Sequence, residues 1–140
     1  MNFGVSQMKK IENHQIEKDD FECYFEDISK FINNQQIELG VFGLDIGDQI
    51  ESEWAPLDGI SYEPKTDTLF VHTKYVDHAI QGPVQVLVAE TNARIHAISV
   101  KDSAGRSHIL QFRSPLMLEN NSHIHKRVLD GLKNSNHMHY

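Results

Sequence analysis

Three runs decide the fold: VQVLVAE at 84–90, IHAISVKD at 95–102 and SHILQF at 107–112. Together they are rich in Val and Ile, whose branched side chains suit a pleated, half-buried surface better than a helix. They are joined through Thr91–Asn92–Ala93 and Asp102–Ser103–Ala104–Gly105. Links this short cannot carry a crossover, so the three runs are expected to be antiparallel neighbours in a meander.

Working outward, GISYEP at 59–64 and TLFVHTK at 68–74 flank Lys65–Thr66–Asp67. Two strand-like runs on a short turn read as a hairpin. IELGVFG at 37–43 reads as a strand, with Gly40 and Gly43 as bulge or close-approach points. In LDIGDQIESEWAP at 44–56, a turn at Ile46–Gly47–Asp48 leads into a short strand ending at Trp54. VDHAIQG at 76–82 reads as one helical turn closed by Gly82, and Ser114–Pro115 stops the last strand.

A helix is expected over 19–34. Phe21, Tyr24, Phe25, Ile28, Phe31 and Ile32 recur at the spacing of one helical face. Asp19 and Glu22 are spaced as a capping box. Residues 1–16 lack periodicity and read as a mobile arm, leaving 17–118 as a single domain. Residues 121–133 suggest a short helix with Ile124, Val128, Leu129 and Leu132 on one side, followed by a loose tail. The expected class is α+β. It is an antiparallel β-meander of five to six strands, as a sheet or a partly closed barrel. An N-terminal amphipathic helix packs on it, and a short C-terminal helix follows.

The 140 residues are 39% apolar and 24% charged, which suits one domain with a real core and argues against global disorder. The single cysteine, Cys23, excludes an internal disulfide and points to a reducing, cytoplasmic setting. Flanked by Glu22 and Glu26, Cys23 is not activated as a nucleophile and is expected at a buried or edge position. The net charge of −7 repels phosphate backbones, so nucleic acid is not an expected partner. No apolar run approaches the length of a membrane span.

Read as a whole, GLDIGDQIESEWAPLDGISYEPKTDTLFV at 43–71, VDHAI at 76–80 with Pro83, and HAISVKDSAGRSHILQFRSPLML at 96–118 form a pattern. It resembles a family of small bacterial proteins known only as a domain of unknown function. The shared features are the Gly-Leu-Asp-x-Gly-Asp-Gln turn, the Trp-x-Pro-Leu step, the Gly-Ile-Ser/Thr-Tyr-Asp/Glu-Pro hairpin and the Asp-His-x-Ile turn. The resemblance covers residues 20–118 and implies no activity, cofactor or catalytic residue.

Besides Cys23, three constellations could carry chemistry. Asp45, Asp48, Glu51, Glu53 and Asp58 are close in sequence but lack the EF-hand order, and read as a solvated loop. Among nine histidines, His123/His125 and His137/His139 are His-x-His pairs, and the tail pair could pick up a metal adventitiously. Asp77 and His78 are catalytic candidates, although neighbours on a helical turn point apart. His72 and His108 lie in strands and are expected on exposed faces. No Gly-x-Ser-x-Gly elbow, phosphate loop or Cys-x-x-Cys is present.

Two readings of function follow, with no cofactor expected in either. The leading one is a non-enzymatic module that binds a protein partner, or itself, through a sheet edge or face. The alternative is a small-ligand-binding protein or enzyme with a pocket near Trp54, Tyr62, Asp77 and His78. Its mark would be a concave site in which a carboxylate touches a histidine. Without a legible nucleophile–base pair, no hydrolytic or transfer activity is expected.

Overall fold

A computed structural model describes residues 10–32 and 34–118. Eight strands form among them: β1 (Glu12–Ile16), β2 (Gln36–Gly43), β3 (Gly47–Glu63), β4 (Thr68–Thr73), β5 (Asp77–Gln81), β6 (Pro83–Thr91), β7 (Arg94–Asp102) and β8 (Ser107–Met117). Their order is β1-β6-β7-β8-β2-β3-β4-β5, with every neighbouring pair antiparallel. One α-helix, α1 (Phe21–Ile28), lies between single 3-10 turns at Lys18–Asp20 and Ser29–Phe31. The class is thus α+β on a mostly antiparallel sheet, with more than the five to six strands expected. The C-terminal helix expected over 121–133, and the tail histidines His137 and His139, lie outside the described residues.

The meander β6–β7–β8 and the hairpin β3–β4 form where the sequence places them. Thr91 opposes Arg94, and Lys101 opposes Ser107. The hairpin turn closes with the Asp67 amide donating to the Pro64 carbonyl at 3.2 Å. Asp67 sits there at φ +50°, a conformation that Asp tolerates better than bulkier residues.

Four expectations need correction. Residues 76–82 are not a helical turn, because Asp77–Gln81 pair with β4 as β5. Part of the expected arm, 12–16, pairs with β6 as β1 and buries Ile16. The capping box does not form: neither Glu17 nor Asp20, the residues at the two caps, makes a side-chain capping bond. Pro115 does not end β8. Between Ile95–Leu116 and Ala97–Gln111 the β7–β8 register slips, and pairing with β2 has already ended at Phe112. A proline there removes no ladder hydrogen bond that the slipped register could make.

The two short strands expected around Trp54 are one strand of 17 residues. Its first half pairs with β2 and its second half with β4. Register shifts mark the change of partner, and Trp54 there has φ +49°, an outlier for a bulky side chain. The bend carries β4 and β5 around, so that β5 side chains meet β8.

The freed edge of β3 is covered by α1. Its Phe21, Tyr24, Phe25 and Ile28 are all fully buried, in one core with Ile60, Leu69 and Val88 of β3, β4 and β6. Phe21 packs edge-on against Tyr62, with ring centroids 5.4 Å apart. Just after the helix, Ser29 closes the edge with two bonds. Its hydroxyl donates to the Ile60 carbonyl at 2.9 Å and accepts from the Ile60 amide at 3.1 Å. Backbone groups that a neighbouring strand would satisfy are satisfied here by one side chain. No helix among the described residues is long and apolar enough to cross a membrane.

Candidate functional site

Side chains alternate across a strand, and this decides where the chemistry lies. On β4, Leu69, Val71 and Thr73 face inward, while Phe70 and His72 face outward. On β5, Ile80 is buried and Asp77 exposed. Adjacent residues therefore reach opposite faces: Asp77 goes out beside His72, and His78 goes in beside Val71. The Asp77–His78 candidates are not a pair, and each joins a different chain of polar groups.

The outer chain is Asp77–His72–Ser61. His72 Nδ1 lies 3.1 Å from Asp77 Oδ1, and His72 Nε2 lies 3.1 Å from Ser61 Oγ. A carboxylate only accepts, so the ring carries its proton on Nδ1 and offers the Nε2 lone pair to the Ser61 hydroxyl. The register makes this possible. His72 opposes Asp77 directly on one side and Gly59 on the other. From there the ring reaches diagonally to Ser61, two residues on from Gly59. Phe70 stacks on the ring nearly parallel, 5.8 Å between centroids and 14° between planes, and further fixes it.

Ser61 and His72 face a groove of about 340 Å³ between the sheet and α1, lined also by Glu22, Glu26, Gly59 and Tyr62. Glu22 and Glu26 are four apart on the outer face of α1, so the helix wall is anionic. Tyr62 donates its hydroxyl to Asp67 Oδ1 at 2.6 Å. Burial and that acidic neighbour push its phenol up to about 12. Asp67 also accepts from Lys18 at 3.0 Å, and these two donors hold its carboxyl below the usual range.

The inner chain is Asp102–His108–His78. His108 Nε2 lies 2.8 Å from Asp102 Oδ2, and His108 Nδ1 lies 2.9 Å from His78 Nε2. Asp102 Oδ1 also accepts the Ala104 and Arg106 amides, each at 2.9 Å. Burial alone would raise the Asp102 carboxyl, but the bonds from His108 and the turn amides hold it below its ordinary value. The carboxylate fixes the proton of His108 on Nε2. Its Nδ1 then accepts from His78 Nε2–H. The remaining nitrogen of His78, Nδ1, lies 3.9 Å from Glu51. Burial, then the neighbouring His108, lower the His78 pKa, and Glu51 opposes this.

The structure does not gather the other pocket candidates. Tyr62 lines the groove, but Trp54 sits at the β3 bend, with the Arg113 guanidinium 5.6 Å from its ring centre. His108, expected on an exposed face, is only 5% exposed, and Cys23, expected at a buried or edge position, is exposed. Of the acidic run, Asp45 pairs with Arg106 at 2.7 Å, and no metal-binding set of three or more His, Cys, Asp or Glu forms among the described residues. The tail metal candidates, His137 and His139, fall outside those residues, as do His123 and His125. Sequence reasoning missed Ser61 and Asp102. Asp102 carried one signal, its place opening the Asp-Ser-Ala-Gly turn, where such a side chain accepts nearby amides.

A protein of Aquifex aeolicus (strain VF5), itself uncharacterized, is 36% identical over 104 residues, which cover 74% of this chain and 94% of that protein. No solved structure matches. The profile of a family of unknown function, DUF5335, matches residues 12–121, most of the chain including both polar chains, and the protein belongs to that family.

Proposed function

We propose that the protein binds a small ligand in the groove between α1 and β3–β4. The observation that carries this reading is a histidine held between a carboxylate and a hydroxyl, 3.1 Å on each side, at the wall of a concave site. A few convergent polar groups in a cleft beside aromatic and aliphatic side chains are the usual composition of a ligand site. The anionic helix wall favours a ligand that carries a positive charge. Amide NMR titration with small amines and, separately, small carboxylates tests this. Amines should shift the signals of Gly59, Ile60, Ser61 and Tyr62, and carboxylates should not. Shifts that are absent from these four residues contradict the reading.

A second reading, a protein-interaction module in the cytoplasm, has its own support. Among the described residues, β1 and β5 end the sheet order, so each pairs there on one side only. Tyr75 and Val76 before β5, and Val84 after it, are exposed apolar side chains. Open edges flanked by apolar groups invite pairing with another chain. Light scattering over rising concentration tests self-association. A dimer that dissociates in Val76→Asp supports it, and a monomer throughout contradicts it.

A further inference from the structure

We propose that Ser61 is a nucleophile activated by His72, acting on acyl esters that carry a cationic group. The inference rests on the groove being the ligand site and adds covalent chemistry to it. The two ring nitrogens are used in the order this chemistry needs. Asp77 holds Nδ1–H at 3.1 Å, which leaves the Nε2 lone pair 3.1 Å from the Ser61 hydroxyl. Asp77, Ser61 and the stacked Phe70 ring fix the imidazole from three sides. A nucleophile, a base within reach of it and a third group orienting the base make up the nucleophile–base–orienter arrangement.

In the step, Ser61 Oγ bonds to the acyl carbonyl carbon and His72 Nε2 takes the hydroxyl proton. The carbon–alkoxy bond breaks, and the departing alcohol takes that proton from Nε2. Water, deprotonated by the same nitrogen, then hydrolyses the seryl ester and restores the hydroxyl. The groove wall sets the substrate class. Glu22 and Glu26 disfavour the negative charge that develops on the carbonyl oxygen, and a cationic substituent lying against them offsets this. The Asp77 side chain is 68% exposed, so water screens it. It orients the ring without strongly stabilising an imidazolium. Asp77→Asn should therefore slow the reaction several-fold, far less than the roughly 10⁴-fold loss of a buried triad.

The test is reaction of the full chain with a fluorophosphonate bearing a quaternary ammonium group, read by intact mass and peptide mapping. The expected result is a single adduct on Ser61, formed faster than with an anionic fluorophosphonate and slowed by N-acetyl-arginine methyl ester. Ser61→Ala should take no adduct. His72→Gln, a surface change that leaves the amide spectrum folded, should lose on the order of 10²-fold in labelling rate. An unmodified Ser61, or equal labelling of the urea-unfolded chain, overturns the nucleophile. If amines still shift the groove amides in that case, the ligand site stands without it. If neither labelling nor shifts occur, both fall.

Discussion

At the scale of single residues, one position of difference sends Asp77 and His78 to opposite faces of β5 and gives them opposite surroundings. His72, beside Asp77, is in contact with water. His78 is mostly buried and hydrogen-bonded to a second imidazole, so its pKa lies below its ordinary 6.5. This has a consequence for stability. As pH falls, the unfolded chain takes up a proton near 6.5, while the folded chain resists it until its lower pKa is reached. The stability due to neutral His78 is therefore present above about pH 6.5 and is lost as pH falls through the folded value. Thermal unfolding between pH 7.5 and 5 should show this decline, and His78→Gln should flatten it. An equally steep decline in the variant would place the titration elsewhere. Asp102 accepts one side-chain and two amide bonds, so Asp102→Ala should cost about 2–4 kcal/mol, measured by urea unfolding.

At the scale of elements, the fold depends on how α1 and the corner at Gly82 are held. Phe25 is fully buried, and Phe25→Ala should cost about 3–5 kcal/mol in urea unfolding. Gly82 sits at φ +63°, and a methyl there would meet Ser103 Oγ at 2.6 Å. Gly82→Ala should therefore cost about 1–3 kcal/mol by the same measurement. Gly59 is the contrast, since a methyl there meets nothing within 4 Å. Gly59→Ala should leave stability within about 0.5 kcal/mol while narrowing the groove beside Ser61, so that amine-induced shifts weaken. The elements differ in how legible they were. The β6–β7–β8 meander and the β3–β4 hairpin were readable because adjacent runs and short turns specify them locally. β5 was not, because Val76 and Ile80 are four apart and mimic a helical face. Period two, which puts His78 in phase with buried Ile80, is the pattern that holds. The same phase, His108 with Leu110 and Phe112, marked His108 as inward-facing, although Ile109 in the opposite phase obscured it.

At the scale of the molecule, the bend in β3 brings distant segments together. It lets β5 lie near β8, so that residues 78 and 108 share a hydrogen bond, and it frees the β3 edge that α1 covers to form the groove. Neither pairing could be read from a sequence that keeps its members 30 and 31 residues apart, as with His78–His108 and Ser29–Ile60. Strand alternation on this bent sheet separates His72, in an outer chain ending on Ser61, from His78 and His108, in an inner chain ending on Asp102. Long-range proton–nitrogen correlation of the imidazole rings near pH 7.5 tests it most directly. The expected result is neutral His72 protonated on Nδ1, and neutral His78 and His108 protonated on Nε2. A His72 ring protonated on Nε2, or His78 and His108 protonated on Nδ1, would contradict it.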